Sequence, residues 1–359
     1  MRVLQIGSDR SKRGILFPGT PAFSRQISYA DTFGHLDIIG FSLRSDGTVE
    51  YKERNLSVYP TNSLSKIFYG LDTLLIVRNL PKPDVISAQD PFEVGLLALL
   101  IAWVKGVPLH VQVHTDFLSH GYTQHSFMNR HRALVAGFVL RRATRIRVVS
   151  ERVKNEIIAR YKLKIPISVL PIFVDIILHQ RQSDPMLVSA FSRFDRKLLF
   201  VGRLEPEKNA SLAIRAFAQA APERTCLIIV GDGSERAKLK ALAKELNVDA
   251  GSRMVIFEDQ KESLKYYPIE DLVLVTSHYE GYGLVIIEAL AAGKPVISTD
   301  VGIAREVGAI IASEKDFPAA LSEWFKNGPR EMHLKNYPYQ SEADYIQKYC
   351  VDITACVKR

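Results

Sequence analysis

Short segments of continuous apolar residues alternate with longer amphipathic segments along this chain, and this alternation restricts the fold more than any other feature. A strand that is apolar on both faces must be shielded from water on both faces. Parallel sheets whose strands are connected by helices provide this, because the helices pack on both faces of the sheet. Most of these segments lead into a helical pattern, as where Ser150 precedes ERVKNEIIARY. The pattern therefore predicts an α/β fold. The predicted strands are RVLQIG, LDIIGFS, DVISAQD, LHVQVHT and IRVVS in the first half, and KLLFVG, TCLIIVG, RMVIF, LVLVTS and PVISTD in the second.

The length of 359 residues exceeds what one hydrophobic core usually supports, so we expect two doubly wound, Rossmann-like domains. The strand–helix alternation breaks within residues 171–189, which places the first domain at 1–178 and the second at 190–338. Residues 339–359 contain YIQKYCVDITACV after the second sheet is complete, and they predict a crossover helix that packs back across both domains. Ligands of such sheets bind at the carboxyl ends of the strands.

The composition favours a cytoplasmic globular protein. The three cysteines show no metal-ligand spacing, and their odd number argues against a disulfide framework. The amino-terminal apolar segment is too short for a secretory signal. The longest apolar run, Val94 to Val104, falls short of the roughly 20 residues of a bilayer span and is interpreted as a core helix.

Basic residues are concentrated in the first half of the chain. Residues 101–180 hold 12 Lys and Arg against 4 Asp and Glu, which favours an anionic partner or a solvated basic surface. The segment 129–147 mixes apolar and basic positions, so residues 129–164 are a candidate for peripheral contact with an anionic membrane at its inner face. The packing expected for this helix buries Leu134, Val135 and Phe138 and leaves Arg130 and Arg141 in water. No aromatic-interleaved module accompanies the charge, so we expect no nucleic-acid partner.

Several reaction classes lack their sequence signatures. The sequence has no Asp-x-Asp pair, no phosphate loop of the Gly-x-x-x-x-Gly-Lys type, no Gly-x-Ser-x-Gly elbow and no zinc-binding spacing. The segment GDGSER lacks the third glycine of a dinucleotide fingerprint and is interpreted as a strand-to-helix turn. We therefore expect neither a cofactor nor a bound metal.

Two cations follow the predicted strand KLLFVG. Arg203 and Lys208 lie between this strand and the helix NASLAIRAFAQA. A forked guanidinium and a compact ammonium at a strand end suit a pyrophosphate, whose oxygens are held from different sides. An exposed turn of mixed charge, with Glu205 and Glu207 included, is the alternative.

Two carboxylates stand eight positions apart in SHYEGYGLVIIEALAAGKPVISTD. Glu280 lies beside Gly281 and Gly283, whose lack of a side chain allows close approach to a ligand. The start of the next helix favours an anion. Glu288 lies among apolar residues of that helix, where the vicinal diol of a ribose would satisfy its carboxylate. A structural ion pair with Lys or Arg is the alternative for Glu288.

Together these features predict a site for a sugar joined to a nucleoside diphosphate, with Glu280 placed to contact hydroxyls of the sugar. Here the sequence resembles a known family. EGYGLVIIEALAAGKPVIST is similar to the Glu-x7-Glu motif of the family 4 retaining glycosyltransferases, which have the GT-B fold. FVGRLEPEKNASLAIRAFA resembles their diphosphate-binding segment, and VHTDF and RIRVVSERVK match the first-domain pattern less specifically.

The resemblance implies a retaining, metal-independent glycosyltransferase, in particular a hexosyltransferase, with its site at a cleft between two domains. Transfer would run from a UDP- or GDP-sugar to a saccharide or lipid-linked acceptor, in polysaccharide or glycolipid biosynthesis. The resemblance implies that Glu280 and His114 are catalytic residues that face the transferred sugar, and that Glu288 binds the ribose. It implies that the diphosphate is bound by Arg203 and Lys208 together with the backbone of Gly281, Tyr282, Gly283 and Leu284.

Alternatives on the same fold are a retaining phosphorylase or a sugar-phosphate synthase, and from another class a nucleotide-sugar-binding protein without turnover. The intact set of Arg203, Lys208, Glu280 and Glu288 argues against the last. The loop at residues 8–25 lacks the double glycine common in the family, so no site residue is assigned there. Glu258 stands where a glycine is usual, so the base is left open, as are the sugar, the acceptor, the linkage and the oligomeric state.

Overall fold

A computed structural model describes residues 1–8, 14–176 and 183–357, without the side chains of residues 120, 124, 125 and 260–262. The chain divides into unit 1, Met1–Pro171 with Tyr339–Arg359, and unit 2, Ile172–Pro338. Residues 9–13 of the unassigned amino-terminal loop lie outside the described residues, as do residues 177–182 of the predicted junction. The boundaries placed at 178 and 190 therefore stay predictions.

Unit 1 contains an eight-stranded sheet in the order β3-β4-β2-β1-β5-β6-β7-β8. Every neighbouring pair is parallel except β3 and β4, which form an antiparallel edge. The five strands predicted for this half are confirmed, and three strands at or near the sheet edges (β3, β4 and β8) add to them. The strands are β1 Arg2–Gly7, β2 His35–Gly40, β3 Tyr51–Glu53, β4 Leu56–Pro60, β5 Val85–Ala88, β6 Leu109–Val113, β7 Arg145–Val148 and β8 Ile167–Val169.

Helices cover both faces of this sheet. Right-handed crossovers place α1 on one face and α2, α3, α5 and α6 on the other. Side chains of the described residues cap several helix starts, as where Ser150 accepts a hydrogen bond from the backbone of Val153. The helices are α1 Pro21–Phe33, α2 Tyr69–Arg78, α3 Glu93–Lys105, α4 His120–His125, α5 Phe127–Leu140, α6 Glu151–Tyr161 and, after unit 2, α12 Glu342–Thr354.

Unit 2 contains a six-stranded parallel sheet in the order β11-β10-β9-β12-β13-β14. The five predicted strands are confirmed and β14 is added at the edge. Its core joins Phe200, Phe217 and Trp324 with the apolar strand residues. The strands are β9 Arg196–Val201, β10 Thr225–Val230, β11 Arg253–Glu258, β12 Leu272–Val275, β13 Val296–Ser298 and β14 Ile310–Ile311. The helices are α7 Pro185–Ala190, α8 Ala210–Ala220, α9 Arg236–Glu245, α10 Leu284–Ala291 and α11 Phe317–Asn327.

The carboxyl-terminal helix α12 belongs to unit 1, where it packs beside α1 over a buried polar network. Asp352 on α12 lies 3.0 Å from His110 Nε2, accepts a hydrogen bond from Ser168 and pairs with Arg145. On the other side of His110, the Nδ1 atom lies 3.1 Å from the Ser87 hydroxyl. Burial lowers the pKa of His110, so its neutral ring donates to Asp352 and accepts from Ser87.

The packing expected for the helix around residue 134 is wrong in two of its three apolar positions. Leu134 and Phe138 are 70% and 45% exposed, while Arg130 and Arg141 lie in solvent as predicted. The buried face of α5 carries Ala136 and Gly137 instead. These small residues leave room for neighbouring helices. The helix also buries Val139 and Leu140, while Leu134 and Phe138 point outward.

The apolar run Val94 to Val104 is confirmed as a helix, but it is only partly a core helix. It buries Val94 and Ile101 and leaves Trp103 and Val104 exposed. In the part of the chain that the structure describes, every helix is too short or too polar to cross a lipid bilayer.

Candidate functional site

The two charged motifs of unit 2 meet at the carboxyl ends of neighbouring strands. Because β9 and β12 pair in parallel, the loops that follow them leave the same edge of the sheet. The loop after β9 carries Lys208, and the loop after β12 carries Glu280. Two hydrogen bonds join the loops: from the His278 backbone to the Glu207 carbonyl, 2.9 Å, and from the Thr276 hydroxyl to the Asn209 carbonyl, 2.9 Å.

Lys208 and Glu280 form an ion pair across these loops. The Lys208 ammonium contacts Glu280 Oε1, and the Ser277 hydroxyl donates to the same oxygen at 2.9 Å. Both side chains are partly buried, so the pair is shielded from solvent more than a surface ion pair is. A residue predicted to bind diphosphate and one predicted to bind the sugar are therefore adjacent, although 72 positions separate them.

Arg203 lies in a different environment from Lys208. Its guanidinium is exposed and donates to Glu207 at 2.7 Å. The mixed-charge turn considered as an alternative is thus present around Arg203, whereas Lys208 faces the second loop. The predicted role of Arg203 on the diphosphate stays a prediction.

The glycine loop between β12 and α10 has a conformation that requires its glycines. Gly283 precedes α10 with φ of 92°, in the left-handed region, and no side chain caps the helix. The Tyr282 carbonyl accepts a hydrogen bond from the Ile303 backbone at 3.0 Å. A Cβ atom at Gly302 would lie 2.3 Å from that carbonyl oxygen, so this glycine allows the chain from Gly281 to Leu284 to pack against the following loop.

Glu288 has a partner that the sequence analysis missed. The Tyr267 hydroxyl donates to Glu288 Oε2 at 2.6 Å, and among the described residues no Lys or Arg pairs with this carboxylate. Burial raises the pKa of Glu288, and the hydrogen bond from Tyr267 opposes that rise. The aromatic ring of Tyr267 is completely buried. No short-range signal marks Tyr267, because it lies 21 positions from Glu288 on a separate turn.

His114 lies in unit 1, directly after β6, while the other predicted site residues lie in unit 2. Burial lowers the pKa of His114 to about 3, with Arg147 and His110 adding to the effect, so the imidazole is neutral at physiological pH. A neutral ring can form hydrogen bonds without attracting a phosphate. Its predicted position facing the transferred sugar stays a prediction.

Unit 1 also contains a pocket of about 380 Å³ that sequence reasoning missed. It lies at the carboxyl ends of β1, β2 and β5, where Ser8, Phe41 and Asp90 line it. Burial raises the pKa of Asp90 to about 6, although a hydrogen bond from the Phe92 backbone opposes the rise. The signal available in the sequence was Asp90 itself, a carboxylate placed just after the strand segment VISA.

Comparisons with known families and relatives agree with this architecture. Residues 189–340 match the family of glycosyl transferases group 1, and residues 35–177 match glycosyltransferase family 4. The amylovoran biosynthesis glycosyltransferase AmsD of Erwinia amylovora is 23% identical over 91% of this chain and 92% of its own length. The alpha-monoglucosyldiacylglycerol synthase of Streptococcus pneumoniae is 26% identical over 71% of this chain and 62% of its own length.

Solved structures share the fold at low sequence identity. Anabaena Alr3699/HepE in complex with UDP-glucose has a TM-score of 0.69 at 19% identity, with 100% of this chain and 97% of that chain covered. The sucrose-phosphate synthase of Thermosynechococcus elongatus has a TM-score of 0.71 at 17% identity, with the same coverage. With two doubly wound units of the GT-B kind and family matches over both, this chain belongs to the family 4, or group 1, glycosyltransferases.

Proposed function

We propose that this enzyme transfers a hexose from a nucleoside-diphosphate sugar to a saccharide or lipid-linked acceptor, with retention of anomeric configuration. The observation that carries the proposal is the convergence of Lys208, Glu280 and the glycine loop at the start of α10. A cation, a hydroxyl-binding carboxylate and a helix start suit the phosphates and sugar of one donor. The UDP and UDP-glucose complexes of Alr3699/HepE, a protein of the same fold, support this donor class.

The Lys208–Glu280 ion pair suggests how the donor is received. A phosphate oxygen can replace the carboxylate as partner of the Lys208 ammonium, since both are anionic acceptors. Glu280 is then released to accept hydrogen bonds from sugar hydroxyls, while the Ser277 hydroxyl still holds one of its oxygens. Lys208 stabilises negative charge on the diphosphate leaving group as the glycosidic bond breaks.

Glu288 is proposed to bind the ribose of the donor. Tyr267 holds Glu288 Oε2, which fixes the carboxylate against the body of unit 2. A carboxylate can accept several hydrogen bonds, so the bond from Tyr267 leaves capacity for the two hydroxyls of a vicinal diol. The raised pKa of Glu288 means that burial works against the ionised form, and a diol donating to it would offset that cost.

The reaction is proposed to proceed without a bound metal, as the resemblance to the family 4 retaining glycosyltransferases implies. Attack on the same face as the departing phosphate requires no separate general base. The acceptor is proposed to enter the unit 1 pocket around Asp90, whose carboxyl group is placed to meet sugar hydroxyls. A glycolipid acceptor at the membrane inner face, contacted through residues 129–164, fits the basic charge of this half.

A donor panel tests the proposal. A UDP-, GDP- or ADP-sugar at a hundred times its dissociation constant should stabilise the protein by roughly 2.7 kcal/mol, which a thermal-shift assay detects. Lys208→Ala and Glu280→Ala should each lower transfer or donor hydrolysis by about 10² to 10³-fold. Lys238→Ala is the matched control, because Lys238 pairs with Glu235 on the exposed surface of unit 2.

Unchanged turnover in either site variant would refute the proposed site. The anomeric configuration of the product, read by NMR, tests retention. Product analysis also separates transfer from phosphorolysis and from the synthesis of a sugar phosphate. Binding without any turnover across donors and acceptors would support a binding protein instead.

A further inference from the structure

We propose that the outer surface of α2, α3 and α5 docks this protein on an anionic lipid membrane. The docking concerns where the protein is held, so it goes beyond sugar transfer and does not depend on it. These three helices cover one face of the unit 1 sheet. They carry half of the large apolar side chains that are exposed among the described residues.

The exposed apolar residues form a stripe along each helix. In α3 they recur at helical spacing, so that they share one outer face. The same spacing holds in α2 with the turn before it, and in α5. Ile67 is 83% exposed, Trp103 79% and Phe127 74%, so most of each of these side chains is in contact with solvent. The stripes are Ile67, Leu71, Leu74 and Leu75; Leu96, Leu100, Trp103 and Val104; and Phe127, Leu134 and Phe138.

The stripes belong to neighbouring helices. α3 and α5 pack against each other, and the pocket near Asp90 is lined by Tyr69 of α2, Val94 of α3 and Arg132 of α5. The stripes therefore lie on helices that meet around that pocket. Large exposed apolar patches are rare on proteins that remain monomeric in water, and they mark a contact with a partner or with a membrane.

The charges on this surface identify an anionic occupant. In the part of the chain that the structure describes, the cations of this surface form no ion pair with its acids, except that Arg132 pairs with Glu93. The helix α5 contains no acidic residue. Basic and apolar residues together attract a surface of anionic headgroups and then bury side chains below it. The cations at the helix ends and between the stripes are Lys66, Arg78, Lys105, Arg130, Arg141 and Arg142.

A second copy of this chain fits the surface less well. Two such surfaces facing each other would bring like charges together at every edge, which opposes association. The helix α6 does not extend the surface, because its charges pair within the helix, as Lys154 does with Glu151. Docking is therefore assigned to α2, α3 and α5, so that of the segment 129–164 proposed above only the part in α5 takes part.

Tryptophan fluorescence tests the docking directly, since the chain has two tryptophans and they occupy opposite environments. Trp103 lies on the proposed surface, whereas Trp324 is 2% exposed in the core of unit 2. Vesicles of phosphatidylcholine with phosphatidylglycerol should shift the emission to shorter wavelength, and brominated acyl chains should quench it. Vesicles of phosphatidylcholine alone should act far more weakly, and Trp103→Phe should abolish the response.

Variants measure the apolar and the charged contributions separately. Ile67→Ser with Leu71→Ser should weaken vesicle binding at least tenfold, because both side chains lose their apolar burial. Met186→Ser with Val188→Ser is the matched control, an exposed apolar pair on α7 of unit 2. Arg141→Gln with Arg142→Gln should weaken binding to the anionic vesicles by about fivefold per cation.

Absence of a Trp103 response in the unaltered protein, or an equal response to both kinds of vesicle, would overturn the proposal. So would a Trp103 shift that grows with protein concentration without lipid, accompanied by a dimer in sedimentation. Donor binding by thermal shift should be the same in all of these variants, so that failure of the docking is distinct from failure of the proposed transfer.

Discussion

Replacing Asp352 of α12 by alanine should destabilise unit 1. The carboxylate is buried between the helix and the sheet. It receives hydrogen bonds from His110 and Ser168 and the ion pair from Arg145. The alanine variant removes the acceptor and leaves the buried His110 Nε2–H and the Arg145 guanidinium without it.

The magnitude follows from the pKa of Asp352. Burial alone would raise this pKa, but the hydrogen bonds from His110, Ser168 and Arg145 outweigh burial and lower it from 3.8 to about 2. That difference corresponds to about 2 to 3 kcal/mol of stability at neutral pH. Removing one partner of a buried ion pair costs about 3 to 5 kcal/mol, so we expect Asp352→Ala to lower the free energy of unfolding of unit 1 by about 3 kcal/mol.

The pH dependence has a definite sign. Because the pKa is lower in the folded protein than in the unfolded chain, the contribution is fully present above about pH 4. It is lost as the pH falls toward the folded pKa of about 2. The difference in stability between the unaltered protein and Asp352→Ala should therefore shrink between pH 4 and pH 2.

Amide hydrogen exchange is the suitable assay, because a chain of two units need not unfold in one transition. Exchange of the slowest amides in β6 and β7 should accelerate by about a hundredfold in Asp352→Ala. Peptides from β10 in unit 2 are the internal reference. Glu342→Ala is the matched control, because Glu342 lies on the same helix and forms an exposed pair with Arg25, worth less than about 1 kcal/mol. Equal exchange in the two variants, or a difference undiminished near pH 2, would refute the reasoning.

Three further predictions concern the donor site and the thiols. Gly302→Ala should displace the glycine loop and weaken donor binding at least tenfold by titration, because the added Cβ meets the Tyr282 carbonyl. Gly251→Ala, also in the left-handed region but with open space around it, should leave donor binding unchanged; equal losses in both would contradict the steric explanation. Donor affinity should fall as the pH drops through the raised pKa of Glu288, and should lose that dependence in Glu288→Gln; an identical pH profile in the variant would exclude Glu288 from the ribose site. The three thiols should react with a disulfide reagent only after unfolding, because burial raises the pKa of each to about 12; rapid reaction of the folded protein would show an exposed thiol at Cys226, Cys350 or Cys356.

The sequence predicted the central strands of both sheets because these strands are continuous apolar runs. Three of the strands it missed, β3, β8 and β14, are short and lie at sheet edges, where one side lacks a neighbour and the apolar pattern weakens. The fourth, β4, lies between β3 and β2. In β3, Lys52 and Glu53 are exposed, and β14 has only two residues. Pairing with a longer neighbour stabilises such strands, and local sequence does not record that pairing.

The sequence also predicted a set of residues for the proposed donor site without predicting how they meet. Glu280 and Lys208 each follow a strand, and parallel strands bring their carboxyl ends to one edge, so their proximity follows from fold class. Their direct ion pair depends on loop conformation. The bond from Tyr267 to Glu288 likewise depends on a separate turn reaching the helix, which no local pattern records.

What the sequence determined by itself was the fold class and the placement of the charged residues of the proposed donor site at strand ends, since strand burial and charge placement are local properties. Tertiary structure alone decided which side of each apolar helix faces water. In α3 and α5, apolar residues surround the helix, so periodicity does not select a buried face. Small residues such as Gly95, Ala98 and Gly137 approach their neighbours closely, and only part of the large apolar residues is buried with them, while the rest is left outside. That outcome, a matter of steric fit between helices, produced the exposed apolar surface of unit 1.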